Sequence, residues 1–171
     1  MIRRNIVLTG FMGTGKSTVG RLLAQKLGYQ LVDTDVIIEE TSGKTIPEIF
    51  AEEGEAAFRQ LERETAVRLA AQSGLLISTG GGMMLDPANG AVFRPTCDIF
   101  CLTAPAEEIL RRVLADEGQA RPLLNVPDPR GRILELLTAR AEKYGQYTQI
   151  DTMGKTPEQI ADEIVGLCAR A

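Results

Sequence analysis

The run Gly10-Phe11-Met12-Gly13-Thr14-Gly15-Lys16-Ser17 has residue types and spacing suited to one kind of chemistry. Its glycines let backbone N–H groups close around phosphate oxygens. Lys16 can then reach the β- and γ-phosphates, and the Ser17 hydroxyl can serve Mg²⁺. A G-x-x-x-x-G-K-[ST] pattern means this only between a strand and a helix. Both flanks are present: the apolar run Ile6-Val7-Leu8 precedes it, and Thr18–Leu27 has a helical pattern. The reading is a nucleoside triphosphate site contacted by Gly13, Thr14, Gly15, Lys16, Ser17 and Thr18.

The chain has no histidine, so triads and metal sites that need one are excluded, and any base is a carboxylate, a lysine or water. Phosphoryl transfer suits such a chain, because it depends mainly on positioning and electrostatics. Two acids, Asp33 and Asp35, come just after the short apolar run Leu31-Val32. If strand geometry persists, the pleat's period of two points both carboxylates to one side. One then suits the Mg²⁺ shell and the other a substrate hydroxyl; a turn that caps the next helix is the alternative. No other apolar run ends in an aspartate placed for the metal, which favours Asp33 for that role. Gly80-Gly81-Gly82 ends the third apolar run, where glycines allow close approach of backbone to a ligand or simply a tight turn.

The arginines differ by position. Arg140 falls on the stripe Ile133, Leu137, Arg140, Tyr144, where an unpaired cation is costly. An anionic ligand, a buried ion pair or snorkelling would each resolve that cost. Arg59 is spaced to pair with Glu62 at i,i+3, which by itself reads as a surface pair. Arg121 stands in the segment Asp116–Pro129, whose three prolines and a glycine read as a mobile lid from which it could swing onto a γ-phosphate, or as a plain surface loop. Arg111 and Arg112 lie opposite an apolar stripe and read as solvated or ligand-facing.

The elements that must position these groups alternate. Ile6–Thr9, Gln30–Val32, Leu75–Ser78, Ile99–Leu102 and Thr148–Ile150 read as strands, separated by helical patterns. That alternation predicts an α/β fold, a parallel sheet covered by helices on both faces. Thr45-Ile46-Pro47-Glu48 and Thr156-Pro157-Glu158-Gln159 mark two helix starts as capping boxes, and Thr103 is placed to cap the helix near Pro105. At 171 residues the chain is expected to form a single domain, 1–171. A net charge of −4 argues against nucleic acid, and no apolar run reaches membrane-spanning length. Cys97, Cys101 and Cys168 read as reduced, buried thiols of a cytoplasmic protein.

In this order the motifs resemble shikimate kinase over essentially the whole chain: Gly10–Ser17, Asp33-Thr34-Asp35, Gly54-Glu55 with Phe58-Arg59, Gly80-Gly81-Gly82, Arg121-Pro122-Leu123-Leu124, and Arg140 with Tyr144. Met83 and Met84 stand where that family often has smaller residues. The resemblance implies a three-layer α/β/α nucleoside monophosphate kinase-like fold with strand order 2-3-1-4-5. It also implies a substrate-binding helical region at about 34–60 and a lid at about 115–128. Its reaction passes the γ-phosphoryl of MgATP to the 3-hydroxyl of shikimate, on the route to chorismate and aromatic amino acids. By the same resemblance Lys16, Asp35 and Arg121 are catalytic, and Asp35, Arg59, Gly81 and Arg140 bind shikimate. Ser17 holds Mg²⁺ with Asp33 in its outer shell, and Arg121 and Arg112 serve ATP; apart from the resemblance, a monomer is expected. The rivals are another small-molecule P-loop kinase, such as a gluconate kinase, and a nucleotide-dependent regulatory protein without transfer activity.

Overall fold

The computed structural model describes residues 4–116 and 122–169. Five strands, β1 (Asn5–Gly10), β2 (Gln30–Asp33), β3 (Leu75–Ser78), β4 (Cys97–Thr103) and β5 (Thr148–Asp151), form one sheet in the order β2-β3-β1-β4-β5. Every neighbouring pair is parallel. A strand buried on both faces reads as a continuous apolar run, and β1 is buried along its whole length. Its pleat sends alternate side chains into two cores. Ile6 and Leu8 meet α1 (Lys16–Leu27) and α8 (Pro157–Cys168) through Val19, Leu23, Ile160 and Ile164. Val7 faces the other way, into a core with Leu69 of α4 (Gly54–Ala70), Phe93 of α5 (Pro87–Phe93), and Met83 and Met84, both fully buried.

Caps fix the helix starts. Both expected capping boxes are present, Thr45 opening α3 (Ile46–Glu52) and Thr156 opening α8. Asp128 caps α7 (Pro129–Gly145), with Pro129 in its first turn. Thr103 does not act as expected. The helix α6 (Ala106–Ala115) starts behind Pro105 without a side-chain cap, and the Thr103 hydroxyl donates to the Ile150 carbonyl at 3.3 Å. Joining β4 to β5 takes that hydroxyl.

The pleat also ends sooner than the two acids require. Asp33 closes β2 and caps α2 (Thr34–Ser42), its Oδ1 accepting from the N–H of Asp35 at 2.9 Å and of Val36. Asp35 therefore sits in the first turn of a helix, and the strand's period does not relate the two carboxylates. The expected helical region 34–60 holds α2, α3 and the start of α4. Of the expected lid 115–128, residues 117–121 lie outside the described residues, and Arg121 with them. The next stretch is anchored: Pro122–Leu124 make a 3-10 turn, and Leu124 is buried with Phe11, Ile109 and Ile133. Cys97 and Cys101 are buried and Cys168 is half-buried, all as free thiols.

Candidate active site

A cleft of about 900 Å³ opens beyond the C-terminal ends of β1, β2 and β3, the edge where open α/β sheets bind ligands. Lys16, Asp33, Asp35, Arg59, Arg112 and Arg140 all line it, with Gly80, Gly81 and Gly82. Gly13, Gly15, Ser17 and Thr18 line its nucleotide-loop side. Thr14 does not. Its side chain is buried and its hydroxyl donates to the Phe11 carbonyl at 2.7 Å, so it pins the loop from within.

The loop is set for an anion. Gly15 caps α1 at φ 94°, a left-handed conformation that glycine adopts without strain, and no side chain caps the first turn. The helix's first N–H groups are thus left to a ligand. The Lys16 ammonium donates to the carbonyls of Gly10 at 2.7 Å and Phe11 at 3.0 Å. Arg112 braces the same loop. It donates to the Gly13 carbonyl at 3.3 Å and the Thr152 hydroxyl at 3.0 Å, and pairs with Glu108 at 2.7 Å. Arg111, by contrast, is exposed and among the described residues pairs only with Glu108.

Asp35 has the most perturbed carboxyl facing the cleft. Burial pushes its pKa up to about 6, and the nearby charges of Asp33 and Glu39 push the same way against Lys16 and Arg59. Such a carboxylate is ionised at neutral pH yet is a far better proton acceptor than a solvated aspartate. Gly80 makes its position possible, since a Cβ there would overlap the carboxylate. Gly80 is itself held by its N–H donating to the Thr34 hydroxyl at 3.0 Å.

The two arginines are held differently. Arg59 pairs with Glu62 at 2.7 Å and Glu55 at 3.3 Å, and lies over the Phe58 ring. This is no surface pair: Glu62 is only 2 % exposed and also lines the cleft. Burial raises its pKa, and Arg59 opposes that rise. A Cβ on Gly82 would come within 2.8 Å of the Arg59 guanidinium. Arg140 has no carboxylate partner among the described residues, and its guanidinium lies 5.3 Å from the centre of the Phe11 ring. The cost of an inward cation is thus met partly by an aromatic face. The three glycines face three different charged groups: Gly80 Asp35, Gly81 Arg140 and Gly82 Arg59.

The donors present fit Mg²⁺ held largely by phosphates and water. Among the described residues no three carboxylates or thiols cluster as a metal cage. Ser17 is exposed at the loop's end, and among the described residues Asp33 caps through Oδ1, with no partner on Oδ2. One or two protein oxygens are what Mg²⁺ takes at a nucleotide site.

The shikimate kinase family model matches residues 12–169. Shikimate kinase from Geobacter sulfurreducens is 45% identical over 162 residues, covering 94% of this chain and 88% of the relative. The chain belongs to the shikimate kinase family. A shikimate kinase from Caldanaerobacter subterraneus subsp. tengcongensis is 42% identical, over 95% of this chain and 94% of its own. Among solved structures, shikimate kinase from Acinetobacter baumannii in complex with shikimate superposes with a TM-score of 0.87 at 35% identity, covering 98% of this chain and 94% of that one. A gluconokinase from Sinorhizobium meliloti, 18% identical with a TM-score of 0.62, shares the fold, covering 99% of this chain and 93% of that one. The nucleoside monophosphate kinase-like architecture is common to both.

For a shikimate kinase, the structure brings the expected Lys16, Asp33, Asp35, Arg59, Gly81, Arg112 and Arg140 to one cleft. Sequence reasoning missed three supports: the burial of Glu62, the Phe11 ring under Arg140, and the Tyr144 hydroxyl, which donates to the Gly81 carbonyl at 2.7 Å. The i,i+3 spacing flagged Glu62 and the inward stripe flagged Tyr144. Phe11 carried no signal, because the motif leaves that position open.

Proposed function

We propose that this chain transfers the γ-phosphoryl of ATP to the 3-hydroxyl of shikimate, giving shikimate 3-phosphate and ADP on the route to chorismate and the aromatic amino acids. The observation that carries the reading is one cleft holding the phosphate-binding loop, a buried carboxylate with raised pKa, and two guanidinium groups beside a glycine turn. A small polyol carboxylate needs each of these: cations for its carboxylate, a base for its hydroxyl, and a donor phosphate opposite.

In this reading Arg59, Arg140 and the Gly81 backbone hold the acceptor's carboxylate, and Asp35 orients its 3-hydroxyl and takes the proton as the oxygen attacks. Lys16 and the loop N–H groups neutralise charge on the transferred phosphoryl, the main source of catalysis in such reactions. Ser17, with Asp33 in the outer shell, would hold Mg²⁺, which when bound would supply further charge neutralisation. Arg121 serves the phosphates from the lid and Arg112 flanks the base of the nucleotide. The enzyme works as a cytoplasmic monomer. Among the described residues no helix is long and apolar enough to cross a membrane.

ADP release with shikimate, measured against gluconate, tests the whole reading. Turnover with shikimate alone is expected; turnover with gluconate alone would replace the acceptor, and turnover with neither would refute a kinase acting on either. Arg140→Ala tests the carboxylate site. Losing a charge-assisted contact costs about 1.5–3 kcal/mol, so shikimate Kd should rise roughly ten- to a hundredfold. Because Arg140 has no carboxylate partner among the described residues, the melting temperature should hardly move. A clear drop in Tm with unchanged Kd would assign Arg140 to the fold.

A further inference from the structure

Tyr144 lies one turn after Arg140 on α7 and is almost fully buried among Val7, Ile77, Met83 and Cys101. A phenol in such surroundings needs a partner for its hydroxyl. The hydroxyl donates to the carbonyl of Gly81, 2.7 Å away, the middle residue of the glycine turn, and the Arg140 cation lies beside the phenol oxygen. Burial raises the phenol's pKa, so it remains a donor at neutral pH.

The consequence lies in the peptide that Tyr144 grips. In a planar trans peptide the C=O of one residue and the N–H of the next point in opposite directions. Fixing the Gly81 carbonyl toward α7 therefore turns the Gly82 N–H away from it. Among the described residues neither the Gly81 nor the Gly82 N–H donates to a protein acceptor. Arg140 stands 3.9 Å from where a Gly81 Cβ would be, and Arg59 closes in on Gly82. Without a side chain to restrict it, a glycine peptide would rotate freely if released.

We propose that Tyr144 is the positioning residue of the acceptor's carboxylate site: by holding the Gly81 carbonyl toward α7 it fixes the Gly81–Gly82 peptide, and with it the open Gly82 N–H, in the turn that Arg140 and Arg59 flank. One helix thereby supplies both the cation and the brace for the backbone donors. The inference rests on the shikimate kinase reading of this cleft.

The test is Tyr144→Phe, compared with Tyr147→Phe as its control. Tyr147 makes the same kind of buried bond to the next stretch of the same segment, donating to the Met84 carbonyl at 3.2 Å, but its hydroxyl bonds no glycine of the turn. Wild-type turnover and calorimetric titration with shikimate come first, because failure there removes the functional reading itself. With that in hand, Tyr144→Phe should raise shikimate Kd and KM about three- to tenfold, the scale of one hydrogen bond. Its kcat should stay within about twofold of wild type and its ATP Kd unchanged. Tyr147→Phe should lower Tm without changing shikimate Kd. Unchanged shikimate Kd in Tyr144→Phe, or an equal rise in both variants, overturns the proposal while leaving the kinase reading intact. Should Tyr144→Phe not fold, 4-fluorophenylalanine in place of Tyr144 fills the hydroxyl's place without a donor, and the same outcomes decide.

Discussion

Lys16→Ala should lower kcat by about 10²–10³-fold, the scale for removing one preorganised donor aimed at developing charge. The loop's shape does not depend on this side chain alone. Thr14 pins the turn to Phe11, Arg112 braces Gly13, and Gly15 opens α1 whichever residue comes next. The loop N–H groups thus survive the substitution, and ATP Kd should change far less than kcat. In the free enzyme the ammonium donates to the Gly10 and Phe11 carbonyls in part-buried bonds whose acceptors water can take over, so Tm should fall little. A folded Lys16→Ala enzyme with near-normal kcat would show that phosphoryl transfer does not occur at this loop.

Asp35→Asn should abolish most turnover and stabilise the protein at the same time. The amide keeps the side chain's shape but accepts no proton, so a loss of about 10²–10⁴-fold in kcat is expected, with ATP binding barely changed. Stability moves the other way because the carboxylate is held against its preference. Its pKa rises from 3.8 to about 6, chiefly by burial and then by Asp33 and Glu39. The folded state therefore binds this proton more tightly than the unfolded chain does. The group's stabilisation is fully present below pH 3.8 and is lost as pH rises through about 6. At neutral pH the charged form costs on the order of 1–3 kcal/mol, and removing it should raise Tm by about 3–8 °C. That gain should vanish below about pH 4. The same titration predicts that wild-type kcat/KM falls about tenfold per pH unit below pH 6, as the base of the free enzyme becomes protonated. A lower Tm for Asp35→Asn at pH 7.5, together with wild-type kcat, would leave Asp35 as nothing more than a residue in the first turn of α2.

What the sequence made legible were features fixed by local chemistry. The phosphate loop, all five strands and both capping boxes need only neighbours along the chain, the alternation of strand and helix implies the parallel sheet, and each is present. The misreadings occurred where a side chain had two possible partners. Asp33 could continue a strand or cap a helix, and the cap prevails because α2 opens with unpaired N–H groups that its Oδ1 satisfies. Thr103 could cap α6 or join β5, and the Ile150 carbonyl takes it. Long-range contacts were out of reach for another reason. That Gly80 leaves room for Asp35, or that Phe11 lies beneath Arg140, depends on how strands and helices far apart in sequence meet.

The buried pair at Arg59 and Glu62 constrains how this cleft can drift over generations. Glu62 is 2 % exposed and its neighbour in charge is Asp35, so losing Arg59 first would strand a carboxylate with no cation at hand. Losing Glu62 first would free Arg59 toward the Gly82 backbone it already crowds. Breaking a buried pair from one side typically costs about 3–5 kcal/mol, a large share of a domain's whole margin. Arg59 cannot therefore change before Glu62 without passing through a poorly folded intermediate, whereas Arg59 keeps Glu55 if Glu62 goes first. A lineage that came to use a neutral acceptor would find these two residues among the last to be replaced, even after the anion that justified them had gone.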